Sequence, residues 1–328
     1  MNWLNHELFI APIKTYIDPV KPVDRAFITH GHADHARSGH SKVLATPQTI
    51  DIMKTRYGEY CAETFQSLNY GETLTIDDVK ITLYPAGHIL GSAQVLLEYK
   101  GKRAVITGDY KTQPDNTAVH FELVPCDLFV TEATFGLPVF QHPKPQAEIT
   151  KLLQSVKANS ERCHVIGAYA LGKAQRVIKL LRDTGYDAPI YLHGAQVKLC
   201  EYYQSQNIDL GDLRKALDRV KNEFKGHIVI APPSALKDRW SRRLPAPVVC
   251  MASGWMTVKQ RAKQSLVELP LVISDHADWN ELTSTIQATC AEDIWVTHGR
   301  EEALVRWCGM QGLQAEPLSI QGREEDGE

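Results

Sequence analysis

Short apolar runs that end in histidine or aspartate recur near both ends of the chain. Residues 79–84 alternate between apolar and polar side chains, whereas residues 25–29, 104–107 and 294–297 are short and mostly apolar. Alternation with a period of two predicts a half-buried strand, and short apolar runs bounded by turn residues predict buried strands. The chain up to about residue 135 is therefore predicted to be rich in strands, with only short helices.

The pattern changes from about residue 145 to an alternation of helices and strands. Apolar residues at helical spacing predict helices over residues 147–156 and 173–181. Around them, buried strands are predicted over residues 163–168, 189–193, 226–231 and 247–252. Strands separated by helices indicate a parallel sheet that is covered on both faces.

The amino-acid composition is typical of a globular protein. At 328 residues, of which 43% are hydrophobic, the chain can form two domains. The N-terminus lacks the layout of a signal peptide and no apolar run approaches membrane-spanning length, so we expect no membrane partner. Seven cysteines are scattered singly, without a C-x-x-C pair. This usage is typical of reduced thiols, and we expect a cytoplasmic protein.

The strongest chemical signal lies directly after the apolar run 25–29. His30, His32, Asp34 and His35 follow the spacing H-x-H-x-D-H. His30 and His32 can converge on one metal ion, whereas Asp34 and His35, beyond a turn, can reach a second ion. Nitrogen donors mixed with a carboxylate suit zinc or another borderline divalent ion. The alternative, a polar loop with surface histidines, does not require this spacing.

Further candidate ligands stand at the ends of the other predicted strands. His88 follows the run 79–84, Asp109 follows 104–107, and His298 follows 294–297. Each of them alone is also typical of an ordinary hydrogen-bonded loop residue. In this order after H-x-H-x-D-H, however, they resemble the metallo-β-lactamase fold.

Two more motifs narrow the resemblance. Glu132 ends an apolar run, and Ser274-Asp-His276-Ala-Asp278 precedes the Val-Thr-His298-Gly segment. This order resembles the β-CASP nucleases, which carry a domain inserted into the metallo-β-lactamase fold and cut phosphodiester bonds in DNA or RNA. The blocks Leu-Gly-Lys-Ala-Gln-Arg, ending at Arg176, and Ser253-Gly-Trp-Met are similar to the bacterial DNA ligase-associated exonuclease family. The resemblance covers about residues 15 to 315.

The resemblance implies an α/β protein with a metallo-β-lactamase αββα sandwich and an inserted β-CASP domain, a parallel sheet flanked by helices. We expect the sandwich to comprise residues 1–137 and 271–318, and the inserted domain to comprise residues 138–270. Pro138 and Pro270 mark the entry and the return. The acidic residues 319–328 are expected to form a disordered tail.

The resemblance also implies roles for the candidate residues. His30, His32 and His88 would hold one divalent metal, most simply zinc and alternatively manganese, and Asp34, His35 and His298 a second. Asp109 would bridge both ions, and a hydroxide activated by them would attack phosphorus. His276, oriented by Glu132, would protonate the leaving oxygen. The predicted catalytic residues are thus Asp34, Asp109, Glu132 and His276, and for the last two the alternatives are a structural carboxylate and a core histidine.

Substrate contacts are predicted from charge distribution, because the net charge of −3 does not itself favour a nucleic acid. Residues 231–265 contain seven cations, including Arg242 and Arg243, against one acid, Asp238. Trp240 and Trp255 lie in the same stretch, and basic surfaces with aromatic faces bind phosphates and bases. Further predicted contacts are Ser253, Gly254, Lys173 and Arg176. The alternatives are a solvated basic face, a tight turn and ordinary helix residues.

The resemblance to the DNA ligase-associated exonucleases implies a metal-dependent DNA exonuclease in DNA repair or processing, with a single- or double-stranded DNA end as its partner. Family resemblance further implies an ATP-dependent DNA ligase and a helicase as partners. The second hypothesis is an RNA-processing endonuclease of the mRNA 3′-end type, because RNA-cutting relatives carry a histidine at the position of His298. A catalytically inactive binding subunit would have lost ligands, and a small-molecule hydrolase would lack Glu132, His276 and the inserted domain.

Overall fold

The chain folds into two compact units. The computed structural model describes residues 2–218, 221–264 and 266–318. The first unit runs to Gln141 and resumes at His276, and the second unit comprises His142–Asp275. Both boundaries lie a few residues later than the predicted positions 137 and 270. The predicted acidic tail, residues 319–328, lies outside the described residues.

Within the described ranges, strands outnumber helices. The strands, in chain order, are β1 (Phe9–Ile10), β2 (Thr15–Ile17), β3 (Arg25–Phe27), β4 (His40–Ala45), β5 (Ala62–Ser67), β6 (Thr73–Ile76), β7 (Val79–Pro85), β8 (Ala93–Tyr99), β9 (Lys102–Ile106), β10 (Leu128–Ala133), β11 (His164–Gly167), β12 (Ile190–Leu192), β13 (Leu213–Lys215), β14 (Ile228–Ala231), β15 (Val248–Ala252), β16 (Leu269–Leu271), β17 (Asp293–Gly299) and β18 (Gln314–Pro317). The α-helices are α1 (Pro47–Tyr57), α2 (Pro145–Ala158), α3 (Lys173–Asp183), α4 (Gly194–Ser205), α5 (Lys259–Gln264), α6 (Trp279–Ala288) and α7 (Glu301–Met310).

The first unit is a four-layer sandwich. One sheet has the strand order β1-β2-β3-β4-β5, and the other has the order β18-β17-β10-β9-β8-β7-β6. Apolar side chains from both sheets, such as Phe27, Leu44, Ile81 and Val130, share one buried cluster between them. Helix α1 covers the outer face of the first sheet, and α6 and α7 cover the outer face of the second. Burying both faces of two sheets in this way produces the αββα layers.

The second unit contains one parallel sheet with the order β13-β12-β14-β11-β15-β16. Its central strands β11 and β14 are buried at every position. Parallel strands covered on both faces have nearly continuous apolar sequences, which explains why residues 163–168 and 226–231 are recognisable as strands. Helices α2 and α3 extend a few residues beyond the predicted ranges at one or both ends.

Helix α6 begins at a capping box that is recognisable in the sequence. Asp278 is the N-cap of α6: its side chain accepts hydrogen bonds from the backbone N–H groups of Asn280 and Glu281 at 2.9 and 3.0 Å. Glu281 in turn accepts from the Asp278 N–H at 3.1 Å, which completes a capping box. None of the helices in the described ranges has both the length and the apolar character needed to cross a membrane.

We predict that Gly299→Ala destabilises the first unit. Gly299 ends β17 with φ of +123°, and a Cβ there would lie 2.3 Å from the backbone oxygen of Ala133. Because backbone cannot move aside easily, the free energy of unfolding should fall by about 2–3 kcal/mol. The measurement is denaturant unfolding of chelator-treated protein, so that metal binding does not contribute.

Gly309→Ala is the matched control for this change. Gly309 lies in α7 with nothing within 4 Å of an added Cβ. Alanine should therefore raise the unfolding free energy, by about 0.5–1 kcal/mol, because it restricts the unfolded chain. Equal unfolding curves for Gly299→Ala and the wild-type protein would contradict the close-contact argument.

Candidate active site

A tight loop after β3 presents the H-x-H-x-D-H residues. The strand ends at Phe27, two residues before the predicted end, although Ile28 still donates to the Leu44 carbonyl at 3.0 Å. The loop then turns back on itself, since the His32 carbonyl accepts from the N–H groups of His35 and Ala36 at 3.2 and 2.7 Å. This turn places the two halves of the motif in two different clusters of donor atoms.

The first cluster consists of His30, His32, His88 and Asp109, whose potential ligand atoms all lie within 4.8 Å of one another. His88 Nε2 is 3.0 Å from His32 Nδ1. His88 follows β7 in a turn that is stabilised by Ser92, whose hydroxyl oxygen accepts from the His88 N–H at 3.1 Å. Three imidazoles and a carboxylate thus surround one point, as a divalent ion requires.

The second cluster consists of Asp34, His35, Asp109 and His298, again with donor atoms within 4.8 Å. Asp34 Oδ2 lies 3.5 Å from His35 Nε2 and 3.7 Å from His298 Nε2. His298 reaches this point from the end of β17, where its φ of +60° accompanies an irregular register between β17 and β10. A strained backbone at a non-glycine residue is often found at functional sites.

Asp109 is the member that both clusters share. Its Oδ2 lies 3.4 Å from His30 Nε2, 3.8 Å from His88 Nε2 and 3.5 Å from His35 Nε2. The carboxylate therefore stands between the two sets of imidazoles, in the position from which one residue could contact two ions.

Burial and donor chemistry fit two divalent cations. Three buried atoms of the clusters, His30 Nε2, His35 Nε2 and Asp109 Oδ1, have no hydrogen-bond partner among the described residues. Leaving such atoms buried and unsatisfied is costly, whereas a bound cation would satisfy all three. The donor set is nitrogen and carboxylate oxygen without thiolate, which suits zinc or manganese.

Electrostatics prepare the ligands for metal binding. Burial, together with the positive charge of nearby His35, lowers the pKa of His30 to about 4, so His30 offers a lone pair at neutral pH. Burial also opposes charge on His35, but Asp109, Asp34 and Asp18 outweigh it and raise the pKa of His35 to about 9. These three carboxylates therefore favour a positive charge at His35. A bound cation would supply that charge in place of the proton on His35.

Asp18 contacts the ring nitrogen of His35 that faces away from the second cluster. Its carboxylate is 2.8 Å from His35 Nδ1 and accepts from the N–H and hydroxyl of Thr29 at 2.7 and 2.6 Å. A carboxylate on the outer nitrogen of a ligating histidine fixes which nitrogen faces the metal. Sequence reasoning gave Asp18 no role, and the available signal was an acidic residue placed directly after the short strand β2.

The predicted pair Glu132 and His276 lies beside Asp109. His276 Nδ1 is 2.9 and 3.1 Å from the two carboxylate oxygens of Glu132, which lies near the end of β10. Glu132 also accepts from the N–H of Tyr110, the residue after Asp109, at 2.8 Å. Donor atoms of Asp109, Glu132 and His276 lie within 4.8 Å of one another. The pair is buried and therefore retains a fixed orientation.

Glu281 connects the loops that carry Asp109 and His276, a role that sequence reasoning missed. Its carboxylate accepts from the N–H and hydroxyl of Thr112 at 2.9 and 2.6 Å, and from the N–H of Gln113 at 2.8 Å. The other carboxylate oxygen accepts from Asp278 N–H at 3.1 Å. The sequence signal was the capping box Asp278-x-x-Glu281, but the contact with Thr112 is 169 residues distant along the chain.

Lys173 and Arg176 do not have the exposure that the predicted substrate contact requires. Lys173 is 0% exposed and Arg176 is 3% exposed. Within the second unit, Lys173 Nζ lies 3.2 Å from Asp275 Oδ2, and Arg176 Nη1 lies 3.7 Å from Asp275 Oδ1 and donates to the Ser274 carbonyl. Buried cations are held by such ion pairs, so we correct their role to an internal one.

The remaining predicted substrate residues divide by exposure. Ser253 and Gly254 are buried, and the Ser253 hydroxyl accepts a hydrogen bond from the Trp255 N–H at 3.2 Å. This contact is the one expected of a tight turn, the alternative to a substrate contact. Trp255 is also buried, with the Arg261 guanidinium 4.0 Å from its ring centre, so it does not offer the predicted stacking face. Arg242 and Arg243 are exposed in a short 3-10 turn and stay candidates for phosphate contacts.

The sequence is similar to a known family model and to several named proteins. A family model described as beta-lactamase superfamily domain matches residues 2–160. The chain is 28% identical over 321 residues to a "Probable DNA ligase" of Opitutus terrae, covering 95% of this chain and 30% of that protein. It is 27% identical over 213 residues to an "RNase J-like protein" of Methanocaldococcus jannaschii, covering 56% of this chain and 51% of that protein.

A solved structure shows the same fold. The crystal structure of a protein of unknown function from Enterococcus faecalis V583 superimposes with a TM-score of 0.56 and 13% identity, covering 90% of this chain and 79% of that one. The chain spans about a third to a half of the length of the two relatives named above. Residues 2–160 thus match the metallo-β-lactamase superfamily domain, and the chain has homologues in the β-CASP family.

Proposed function

We propose that the protein is a metal-dependent nuclease that hydrolyses phosphodiester bonds. The observation that carries this proposal is the placement of Asp109 between two clusters of ligand atoms, next to the pair formed by Glu132 and His276. Two bound ions would supply an activated water and neutralise charge on the phosphate. His30, His32, His88 and Asp109 would hold one ion, and Asp34, His35, His298 and Asp109 the other.

His276 is proposed to protonate the leaving oxygen. Glu132 contacts Nδ1 of His276, and Nε2 is the ring nitrogen that we propose faces the phosphate ester. A carboxylate on the far nitrogen fixes the tautomer and stabilises the imidazolium form, as in other histidine-dependent acid–base sites. The Tyr110 N–H holds Glu132 in place at 2.8 Å. Cleavage thus combines an attacking water with a positioned acid.

DNA is the proposed substrate, and a DNA end processed by exonucleolytic cleavage in repair is the proposed setting. The relative named a probable DNA ligase covers nearly the whole chain, which supports DNA and an association with an ATP-dependent ligase. A helicase partner rests only on the family resemblance. Seven cysteines scattered singly along the chain, without a C-x-x-C pair, support a reducing, cytoplasmic location.

An RNA-cutting endonuclease is the second candidate. The relative named RNase J-like supports it. So does His298, which completes the second cluster and is the histidine expected of RNA-cutting relatives.

One experiment separates these candidates. Purified protein is incubated with end-labelled single-stranded DNA, double-stranded DNA and RNA of matched sequence, with zinc, manganese or magnesium. Metal-dependent cutting of DNA in single-nucleotide steps is expected. Faster cutting of RNA would favour the second candidate, and the absence of cutting with every metal would overturn both.

We predict that Asp109→Asn abolishes cleavage and lowers the metal content. A neutral amide has a single acceptor oxygen and no charge, so it cannot serve two cations as a carboxylate does. Metal analysis and single-turnover cleavage are measured together. Cys290→Ser is the control, because Cys290 is exposed and lies outside both clusters. Two ions per chain and normal activity in Asp109→Asn would exclude the bridging role.

We predict that His276→Ala retains both metals but loses about 10²–10⁴-fold in turnover, the usual contribution of a general acid. The ligand sets are complete without His276, so metal content should not change. A phosphodiester with a p-nitrophenolate leaving group needs little protonation and should recover much of the loss. Loss of one metal would instead identify His276 as a ligand, in line with its cluster with Asp109 and Glu132.

We predict that Arg242→Ala combined with Arg243→Ala weakens DNA binding and flattens its dependence on salt. Both arginines are exposed, and removing one cation that binds a phosphate should reduce the salt slope by about one. Binding is measured by fluorescence anisotropy with a labelled oligonucleotide at several salt concentrations. Metal content serves as the control, and an unaltered slope would show that these arginines lie away from the substrate.

A further inference from the structure

A guanidinium group contacts the metal loop from the end of α1. Arg56 lies in the last turn of this helix, and its Nη1 donates to the carbonyl of Gly31 at 2.5 Å. Gly31 separates the candidate ligands His30 and His32 in the chain. The hydrogen bond therefore places the positive charge of Arg56 directly beside the loop that presents the first cluster.

This charge is exposed and is not neutralised within the described residues. Arg56 is exposed, and no described carboxylate lies within 4.0 Å of its guanidinium nitrogens. Its Cζ lies 5.2 Å from the ring centre of Tyr57, which is within the range of a cation–π contact. A planar, anchored guanidinium with remaining N–H donors suits a phosphate, because it can donate two parallel hydrogen bonds.

An exposed aromatic side chain lies on the same segment. Tyr60, in the turn between α1 and β5, is 98% exposed, and Tyr57 is 38% exposed. Tyr60 makes no ring contact, hydrogen bond or ion pair with the described residues. A side chain of this kind has a large apolar face in water, and a ring four residues from the cation Arg56 is suited to stack on an unpaired base.

We propose that Arg56, Tyr57 and Tyr60 form a subsite for a single strand of nucleic acid that continues away from the scissile phosphate. Arg56 binds a phosphate next to the metal loop, with Tyr57 supporting it, and Tyr60 stacks on a base further along the strand. The proposal rests on the proposed nuclease function. It gives that function a strand-binding surface in the first unit, where none of the predicted substrate residues lies.

The test compares long and short substrates. For Tyr60→Ala, KM for a single-stranded oligonucleotide should rise by about 5- to 100-fold, the effect of losing one base stack. Turnover of a p-nitrophenyl phosphodiester, which is too short to reach Tyr60, should not change. Tyr60→Trp retains an aromatic face and should behave as the wild-type protein does.

Arg56→Ala should raise KM for the oligonucleotide and reduce the salt slope of binding by about one. Lys100→Ala is the matched control, because Lys100 is likewise an exposed cation over a tyrosine ring, at 5.1 Å from Tyr99. Metal content is measured in each variant. Loss of metal from Arg56→Ala would show that Arg56 only supports the metal loop, and would overturn its role as a phosphate ligand.

The outcomes distinguish this subsite from the function on which it rests. If the wild-type protein cuts no nucleic acid, the proposed function is wrong, and the subsite that rests on it is wrong as well. If the wild-type protein cuts oligonucleotides but Tyr60→Ala and Arg56→Ala leave KM unchanged, the subsite is wrong and the nuclease assignment stands. An oligonucleotide carrying 5-iodouracil near its end should crosslink to Tyr60 in the wild-type protein, and crosslinking elsewhere would overturn the proposed path.

Discussion

The burial of Asp109 between two groups of imidazoles is the constraint on which the site depends. A carboxylate in this position, nearly inaccessible to solvent, is tolerable only if positive charge surrounds it. Burial raises the pKa of Asp109, but His35 and His298 outweigh this effect and hold it well below the usual value. The ligands come from the loop after β3 and from the ends of β7, β9 and β17. Two stacked sheets are therefore needed to deliver them to one point.

Three further carboxylates, on Asp18, Glu132 and Glu281, fix the positions of residues at these strand ends. Asp18 fixes His35, Glu132 fixes His276, and Glu281 ties the loop after Asp109 to the segment after His276. The Tyr110 backbone contributes to the same connection, since its N–H donates to Glu132 and its carbonyl accepts from Ala277 N–H at 2.7 Å. Metal ligands and proposed acid are thus positioned by shared contacts, so that a shift in one loop would be transmitted to the other.

The candidate metal ligands can be identified in the sequence, whereas Asp18 and Glu281, which position residues of the candidate site, cannot. H-x-H-x-D-H has a spacing that few other roles require, and His88, Asp109 and His298 all follow short apolar strands whose ends meet at one edge. Glu281 acts through Thr112, which is far away in the chain, so only the folded structure reveals that contact. Lys173 and Arg176 show the converse error, because cations on an amphipathic helix are expected to be exposed although both are buried beside Asp275. A charged residue in the sequence can therefore be buried in the folded protein, and its charge alone does not predict its exposure.

The proposed metal centre acts on chemical groups that DNA and RNA share. Its ligand clusters and the pair of Glu132 and His276 would act on the phosphodiester group and its leaving oxygen, which both nucleic acids contain. Discrimination requires contacts with the sugar, particularly the 2′-hydroxyl, or with the bases and the shape of the strand. Such contacts belong to exposed side chains, of which Arg56 and Tyr60 in the first unit and Arg242 and Arg243 in the second are the proposed examples. A nuclease of this design can therefore change its substrate by changing its surface while the two ligand clusters and the Glu132–His276 pair stay the same.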